Sequence, residues 1–260
     1  MRKSKILAKL RSGQFARICC MGHFLPFFIH YAAQFKYDGV WLDLEHRAMD
    51  AREVQSLLAF CHLSDIDCMI RPPTLERTRL YRYLEDGASG LMIPFASNVE
   101  AAKHVVRAVK FPPVGNRGVD GAGLDGDYGS GVWSPGSTYF MDANRETFIL
   151  AQIETPEAVS QIDAIAEVPG IDGLFVGPAD LRLRLSMAES APNLNFGEAV
   201  ELVAASARRF EKVWGIAIGS LDDLTRYRKM GAQIIPWGGD FDLLKVLETR
   251  SKELDERVPL

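Results

Sequence analysis

The chain has 260 residues, 47% of them hydrophobic and 25% charged, with a formal net charge of -4 and a pI near 5.8. This length suits one complete β/α barrel, and a chain so long can bury most of its unfolded surface. The weakly acidic balance, with no dense Lys/Arg run after the first dozen residues, excludes an electrostatic footprint for nucleic acid, and no stretch reaches the roughly 18 apolar residues of a membrane span.

The opening segment, MRKSKILAKLRSG, is basic and amphipathic and lacks the continuous apolar stretch of a leader peptide. Residues 1–13 are expected to form a helix that covers a barrel floor. Eight short apolar runs follow, at 16–21, 39–42, 67–70, 90–93, 148–153, 173–176, 213–218 and 233–236. Helical periodicity separates them, and this βαβα alternation implies a parallel sheet. Asp50 with Glu53 reads as a capping box ahead of Val54, Leu57, Leu58 and Cys61, which fall on one helix face. Ser97 with Glu100 reads as a second box, and Thr155-Pro156 as an N-cap followed by proline at the first helical position. Gly87, Gly170 and Gly231 each close a helical pattern. The predicted architecture is one domain, residues 1–260, folded as a single (β/α)8 TIM barrel. An open doubly wound sheet is the alternative, and no GxGxxG follows the first strand to support it.

Residues 111–137 fit neither helix nor strand. Their density of Gly and Asp reads as a lid-like loop over the barrel mouth. The four cysteines, Cys19, Cys20, Cys61 and Cys68, lie in or beside apolar runs without zinc-type spacing. They read as reduced thiols of a cytoplasmic protein.

In a barrel the chemistry sits at the C-terminal ends of the strands. The residues just past each run are Gly22-His23, then Asp43, Glu45 and His46, then Arg71, Glu154, the Gly177-Pro178-Ala179-Asp180 turn, Gly219-Ser220 and Trp237-Gly238-Gly239-Asp240. None of these is a lysine, the residue that would form an imine with a keto substrate. Glu154 and Asp180, on neighbouring strands, supply hard oxygen donors suited to Mg²⁺ or Mn²⁺. From spacing alone they could equally be helix caps.

YDGVWLDLEHRAMD (37–50), IRPP (70–73), GLMIP (90–94), PPVGNRG (112–118), QIETPEAV (152–159) and IDGLFVGPADL (171–181) resemble, in order, the motifs of the HpcH/HpaI family of class II 2-keto-acid aldolases. The resemblance runs from about residue 5 to 250. It implies a divalent-metal-dependent lyase (Mg, Mn or Co) that reversibly cleaves a 4-hydroxy-2-oxo acid to pyruvate and an aldehyde through a pyruvate enolate. On that pattern Glu154 and Asp180 hold the metal, Arg71 faces the developing enolate oxygen and His46 moves the proton. Glu85, aligned with a family aspartate, orients His46, with Asp86 beside it as a rival. The amides of Gly177 and Ala179 receive the substrate carboxylate, and Gln152, on the same strand face as Glu154, contacts substrate. The resemblance also implies a homohexamer formed by exchange of the last helix, near 240–252. Leu44, Glu85, Arg182 and Trp237 depart from the family pattern, which bears on the identity of the aldehyde. A citryl- or malyl-CoA-type lyase of the related barrel family is the rival activity, and a non-catalytic ligand-binding barrel the rival class.

Overall fold

In the computed structural model, which describes residues 1–187 and 194–258, seven parallel strands follow one another in chain order. The elements are α1 (Lys5–Arg11), β1 (Ile18–Met21), α2 (Pro26–Gln34), β2 (Gly39–Asp43), α3 (Ala51–Leu63), β3 (Asp67–Arg71), α4 (Arg77–Glu85), β4 (Gly90–Ile93) and α5 (Val99–Val109). After the long loop come α6 (Tyr139–Glu146), β5 (Phe148–Ile153), α7 (Pro156–Ser160), α8 (Ile162–Glu167), β6 (Gly173–Val176), α9 (Pro178–Met187), α10 (Phe196–Arg209), β7 (Val213–Ile216), α11 (Leu221–Lys229) and α12 (Leu243–Arg257).

Strand alternation sorts the apolar side chains into two cores. Ile18, Trp41, Met69, Met92, Phe148, Leu150, Phe175 and Ile234 pack together on one face of the curled sheet. Cys19, Val40, Leu42, Ile70, Leu91, Ile149, Leu174 and Ile216 pack with the helices on the other. Because both faces are covered, the strands read as nearly unbroken apolar runs, as parallel sheets do.

The expected eighth strand at 233–236 is not a strand. Ile234 instead forms isolated parallel bridges to Ala16 and to Gly215, so the segment touches both edges of the sheet. Ala16 N–H donates to the Gln233 carbonyl (3.0 Å) and Ile216 N–H to that of Ile234 (3.0 Å). Two local causes shorten the ladder: Pro236 has no N–H to donate, and Gly238 turns the chain at φ 83°. Gly215 makes the close approach possible, since a Cβ there would lie 2.2 Å from the Ile234 carbonyl oxygen.

The helix signals have their expected causes. Asp50 and Glu53 form a reciprocal capping box on α3, and Thr155 Oγ1 accepts from Ala158 N–H at the start of α7. Gly87, Gly170 and Gly231 all take positive φ. One start is shifted by a residue: the cap of α5 is Asn98, whose side chain accepts from Ala101 N–H, not Ser97.

At the N-terminal ends of the strands, α1 is held by buried Asp67, which accepts from Ser4 Oγ (2.6 Å), Ile6 N–H (2.9 Å) and Arg2 (2.7 Å). Lys110 is buried at this end too. Its Nζ donates to the Asn144 and Thr147 carbonyls, and burial lowers its pKa.

The loop 111–137 lies at this floor and not over the mouth of its own chain. Helix α5 runs back from the ends of the strands, so the chain leaves it at the floor and stays there. Leu124 packs on Gly87, and Met1, Arg2, Ser89, Leu124 and Asp125 line one small cavity. An internal network fixes the loop: Arg117 donates to Asp125 at 2.7 Å, and so does the Tyr139 hydroxyl.

Candidate active site

At the opposite end of the sheet, polar side chains converge from the strand ends. Arg71, the last residue of β3, makes a two-pronged contact with Asp43, the last residue of β2: Nε to Oδ1 at 2.9 Å and Nη2 to Oδ2 at 2.8 Å. The parallel register sets this directly, since Asp43 and Arg71 are paired partners. The guanidinium also lies 5.0 Å from the Trp41 ring and 3.2 Å from Glu45 Oε2. Both interactions favour a planar cation over an ammonium. Burial works against the Asp43 charge, yet the Arg71 hydrogen bonds hold its carboxyl below the usual range. Asp43 Oδ1 also accepts from Glu45 N–H (3.1 Å), which folds the chain after β2 so that Glu45 and His46 face the mouth. His46 Nε2 stands 3.5 Å from Glu45 Oε2, with its ring about half exposed.

Across the mouth, Gln152 of β5 and Glu154 just past its end lie on one face, and Glu154 is 1% exposed. One of its oxygens accepts from Phe95 N–H at 2.6 Å and the other from the Gln152 amide. Thr155, not Glu154, caps α7, so the capping alternative for Glu154 falls. Burial pushes its carboxyl up to about 7, against the two hydrogen bonds and with help from the charges of Glu45 and Asp180. Burial likewise raises Glu45, over the pull of Arg71 and His46, with Asp180 again adding to it. The three carboxylates therefore feel one another across the mouth. Asp180 sits in the first turn of α9, 3.6 Å from Arg184, where the positive end of the helix favours an anion.

Two expected placements need correction. Glu85 ends α4, and α4 runs away from the mouth. Glu85 therefore lies at the floor beside Arg82 (3.7 Å) and feels the charge of Arg117, while Asp86 accepts from Gln55. Within one chain neither reaches His46, whose carboxylate neighbour is Glu45. The Gly177 N–H is also unavailable to a substrate, because it donates to the Ile153 carbonyl at 3.1 Å and continues the strand pairing. What Gly177 contributes is space: a Cβ there would lie 2.6 Å from Glu154 Oε2. The amides of Ala179 and Asp180 remain, in the first turn of α9, where a helix supplies no acceptor of its own.

Among the described residues no cluster of three or more His, Cys, Asp or Glu side chains is preassembled for a metal. A two-carboxylate site still fits a divalent cation. Glu154 is buried, like charges stand nearby, and among the described residues no cationic side chain pairs with it and Gln152 Oε1 is a buried acceptor without a partner. Two hard oxygens leave the remaining coordination positions to water and substrate.

One residue at the mouth, Cys20, lies outside the strand-end set. Cys20 faces inward at the end of β1. It lines a cavity of about 370 Å³ with Gly219, Pro236, Trp237, Asp240 and Phe241. Burial, with the charges of Asp240 and Asp43, pushes its thiol up to about 12. Asp240 is buried and ties the last loop to the first strand, accepting from the N–H groups of Gly22 (2.8 Å) and His23 (2.9 Å).

The chain is an α/β protein whose curled seven-stranded parallel sheet gathers an arginine–carboxylate constellation at its strand ends. The model of the HpcH/HpaI aldolase/citrate lyase family matches residues 22–246, and the chain belongs to that family; it is a carbon–carbon lyase of the aldolase type. It is 31% identical over 237 residues to a hydroxypyruvate/pyruvate aldolase of Roseovarius nubinhibens, covering 90% of each chain. It is 30% identical over 208 residues to a 4-hydroxy-2-oxo-heptane-1,7-dioate aldolase of Escherichia coli, covering 80% of this chain and 78% of that one. The crystal structure of an HpcH/HpaI aldolase from Desulfitobacterium hafniense superposes with a TM-score of 0.86 at 29% identity, over 97% of each chain.

Proposed function

We propose that the chain cleaves a 4-hydroxy-2-oxo acid to pyruvate and an aldehyde, and runs the reaction in reverse, with Glu154 and Asp180 holding a divalent metal, Mg²⁺, Mn²⁺ or Co²⁺. The observation that carries this reading is the facing of two unlike groups across one mouth. A guanidinium fixed by Asp43 stands on one side, and buried Glu154, with no cationic partner among the described residues, on the other. When bound, the metal supplies Lewis acidity to a keto group.

The chain's own residues do the rest. The first-turn amide of Ala179 receives the substrate carboxylate, and the missing side chain of Gly177 leaves room beside Glu154. Gln152 turns its unpartnered Oε1 to a donor on the substrate. Arg71 aims its guanidinium at the keto oxygen as charge develops there, and such a preorganised donor is worth about 3 kcal/mol in an oxyanion site. His46 takes the proton from the C4 hydroxyl as the C3–C4 bond breaks, and returns it in the synthetic direction. Glu45, 3.5 Å from its ring, steadies the imidazolium formed. No strand-end residue is lysine, and Lys245 at the rim of the mouth cavity is paired with Asp242 at 2.8 Å, so an imine route has no amine on the sheet itself.

The closed eight-strand barrel also belongs to this reading, supported by the two bridges of Ile234. Assembly into a homo-oligomer, a hexamer by family resemblance, is supported by α12, which buries no residue and exposes Leu243, Leu244, Val246 and Leu247. A cytoplasmic setting accords with four unpaired cysteines, and no described helix is long and apolar enough to cross a membrane.

Exchange of the pyruvate methyl protons with deuterium oxide, followed by NMR without any aldehyde, tests the central step. Exchange should stop with EDTA, return with Mg²⁺ or Mn²⁺, and be lost in Glu154→Ala and Asp180→Ala. Exchange that persists in EDTA, together with a borohydride-trapped pyruvate adduct, would replace the metal reading with an imine one.

A further inference from the structure

Arg47 follows His46 and turns its side chain back along the rim toward β1. Its stem lies over Gly22, where a Cβ would come within 2.9 Å of the Arg47 Cγ. Its guanidinium rests on the Phe241 ring, with Cζ 4.7 Å from the ring centroid. Nη1 donates to the His46 carbonyl at 2.8 Å, while Nε is buried with no hydrogen-bond partner. Among the described residues no carboxylate lies within ion-pair distance of this guanidinium. The nearby carboxylate, Asp240, directs one oxygen at three donors: the two backbone N–H groups described above and His23 Nδ1 at 2.9 Å. The His23 ring in turn packs 4.9 Å from Phe241. A fixed guanidinium with no anion of its own, at the rim of a reaction site, is an anion receptor waiting for its partner.

Its position along the substrate follows from the residues already assigned. The carboxylate end is at Ala179, the keto oxygen at Arg71 and the C4 hydroxyl at His46. Glu45 Oε2 links the last two groups, at 3.2 Å from Arg71 and 3.5 Å from His46. Carbons beyond C4 therefore leave past His46 toward Arg47 and the cavity of about 370 Å³ lined by Cys20, Trp237 and Phe241.

We propose, on the basis of the aldolase reading above, that Arg47 is a specificity-determining residue that binds an anionic group at the far end of the aldehyde half. The preferred substrates are then 4-hydroxy-2-oxo acids bearing a second carboxylate or a phosphate. Phe241 and Gly22 act as its supports, since they hold the guanidinium in place without neutralising it.

The test is the rate of aldol addition of pyruvate to matched aldehydes. Succinic semialdehyde is set against pentanal, and glyceraldehyde 3-phosphate against glyceraldehyde, so that the two pairs separate a carboxylate from a phosphate preference. The anionic member of at least one pair should have a kcat/KM higher by about tenfold or more, carried mainly by KM and weakened by added salt. In Arg47→Gln that ratio should collapse toward one through a raised KM for the anionic aldehyde, and Arg47→Lys should restore part of it. Equal KM values within both pairs in the unmodified enzyme would overturn the proposal. So would an Arg47→Gln variant, folded by its melting curve, that loses both members of a pair equally. Pyruvate methyl exchange in the same preparations separates the two levels: its absence means that the aldolase reading has failed and takes this inference with it, whereas exchange without an anion preference sinks the inference alone.

Discussion

Glu154→Gln isolates the cost of keeping a carboxylate buried at the mouth without its cation. In the metal-free chain the Glu154 carboxyl titrates near 7, against 4.5 for an ordinary glutamate. Between those two pH values the folded chain holds a proton that the unfolded chain has released, so stability falls as pH rises through the window and is level above it. At about 1.36 kcal/mol per pH unit the interval corresponds to about 3 kcal/mol. For a domain of this size that is roughly 6–12 °C in melting temperature. Thermal unfolding in EDTA, followed by circular dichroism from pH 4.5 to 8, should show this fall in the unmodified chain. In Glu154→Gln the component should vanish, leaving the variant the more stable protein at pH 8. The new amide cannot accept from both Phe95 N–H and the Gln152 amide, but Gln152 can rotate and present its unpartnered Oε1 to it. Mg²⁺ should recover the loss at pH 8 in the unmodified chain and do nothing for the variant. A melting temperature that stays level across the window, or an equal slope in both proteins, would refute the assignment of Glu154 as the strained, cation-seeking group.

Arg71→Lys should lower turnover by about 100-fold or more with little change in melting temperature, because an ammonium cannot reproduce the fork on Asp43; unchanged kinetics with a lowered melting point would make the pair structural. His46→Ala should slow retro-aldol cleavage strongly while calorimetry still shows Mg²⁺ binding, and loss of the metal would turn His46 into a ligand. Gly215→Ala should cost about 1–3 kcal/mol in urea unfolding, because the new methyl meets the Ile234 carbonyl and forces the 233–236 segment off the sheet edge.

Sequence periodicity located seven of the eight expected strands because both faces of each are apolar and each is followed by a helix, most of them with a side-chain cap. The segment 233–236 looks the same in composition, and only Pro236 and Gly238 hint that its pairing reduces to bridges. Strand-end residues were legible for the same topological reason. The rule that places chemistry after a strand brings Asp43, Glu45, His46, Arg71, Gln152, Glu154 and Asp180 to one mouth. It says nothing about residues at helix ends, so Glu85, aligned by motif, was assigned to a partner at the other end of the sheet. The loop 111–137 failed likewise: glycine-rich composition indicates an irregular segment but not which end of the sheet it covers. Connection order would have settled it, since a segment that follows α5 and precedes β5 starts and finishes at the floor. Arg47 carried no pattern at all. Its meaning depends on Gly22 and Phe241, which lie 25 residues before it and 194 residues after it in the chain and meet it only in the fold.

The thiol at the mouth bears on the durability of an enzyme that works on aldehydes. Free amines and thiolates at such a site would be consumed by the substrate itself. Here no lysine stands at a strand end, Lys245 at the rim of the same cavity is paired with Asp242, and Cys20 on the inner wall is held as a thiol by burial and by the Asp240 and Asp43 carboxylates. A thiol held near 12 is almost wholly protonated at neutral pH and so reacts slowly with aldehydes, alkylating agents and peroxide. The same carboxylates that shape the polar mouth thus passivate its sulfur, and the catalyst is protected from its own product.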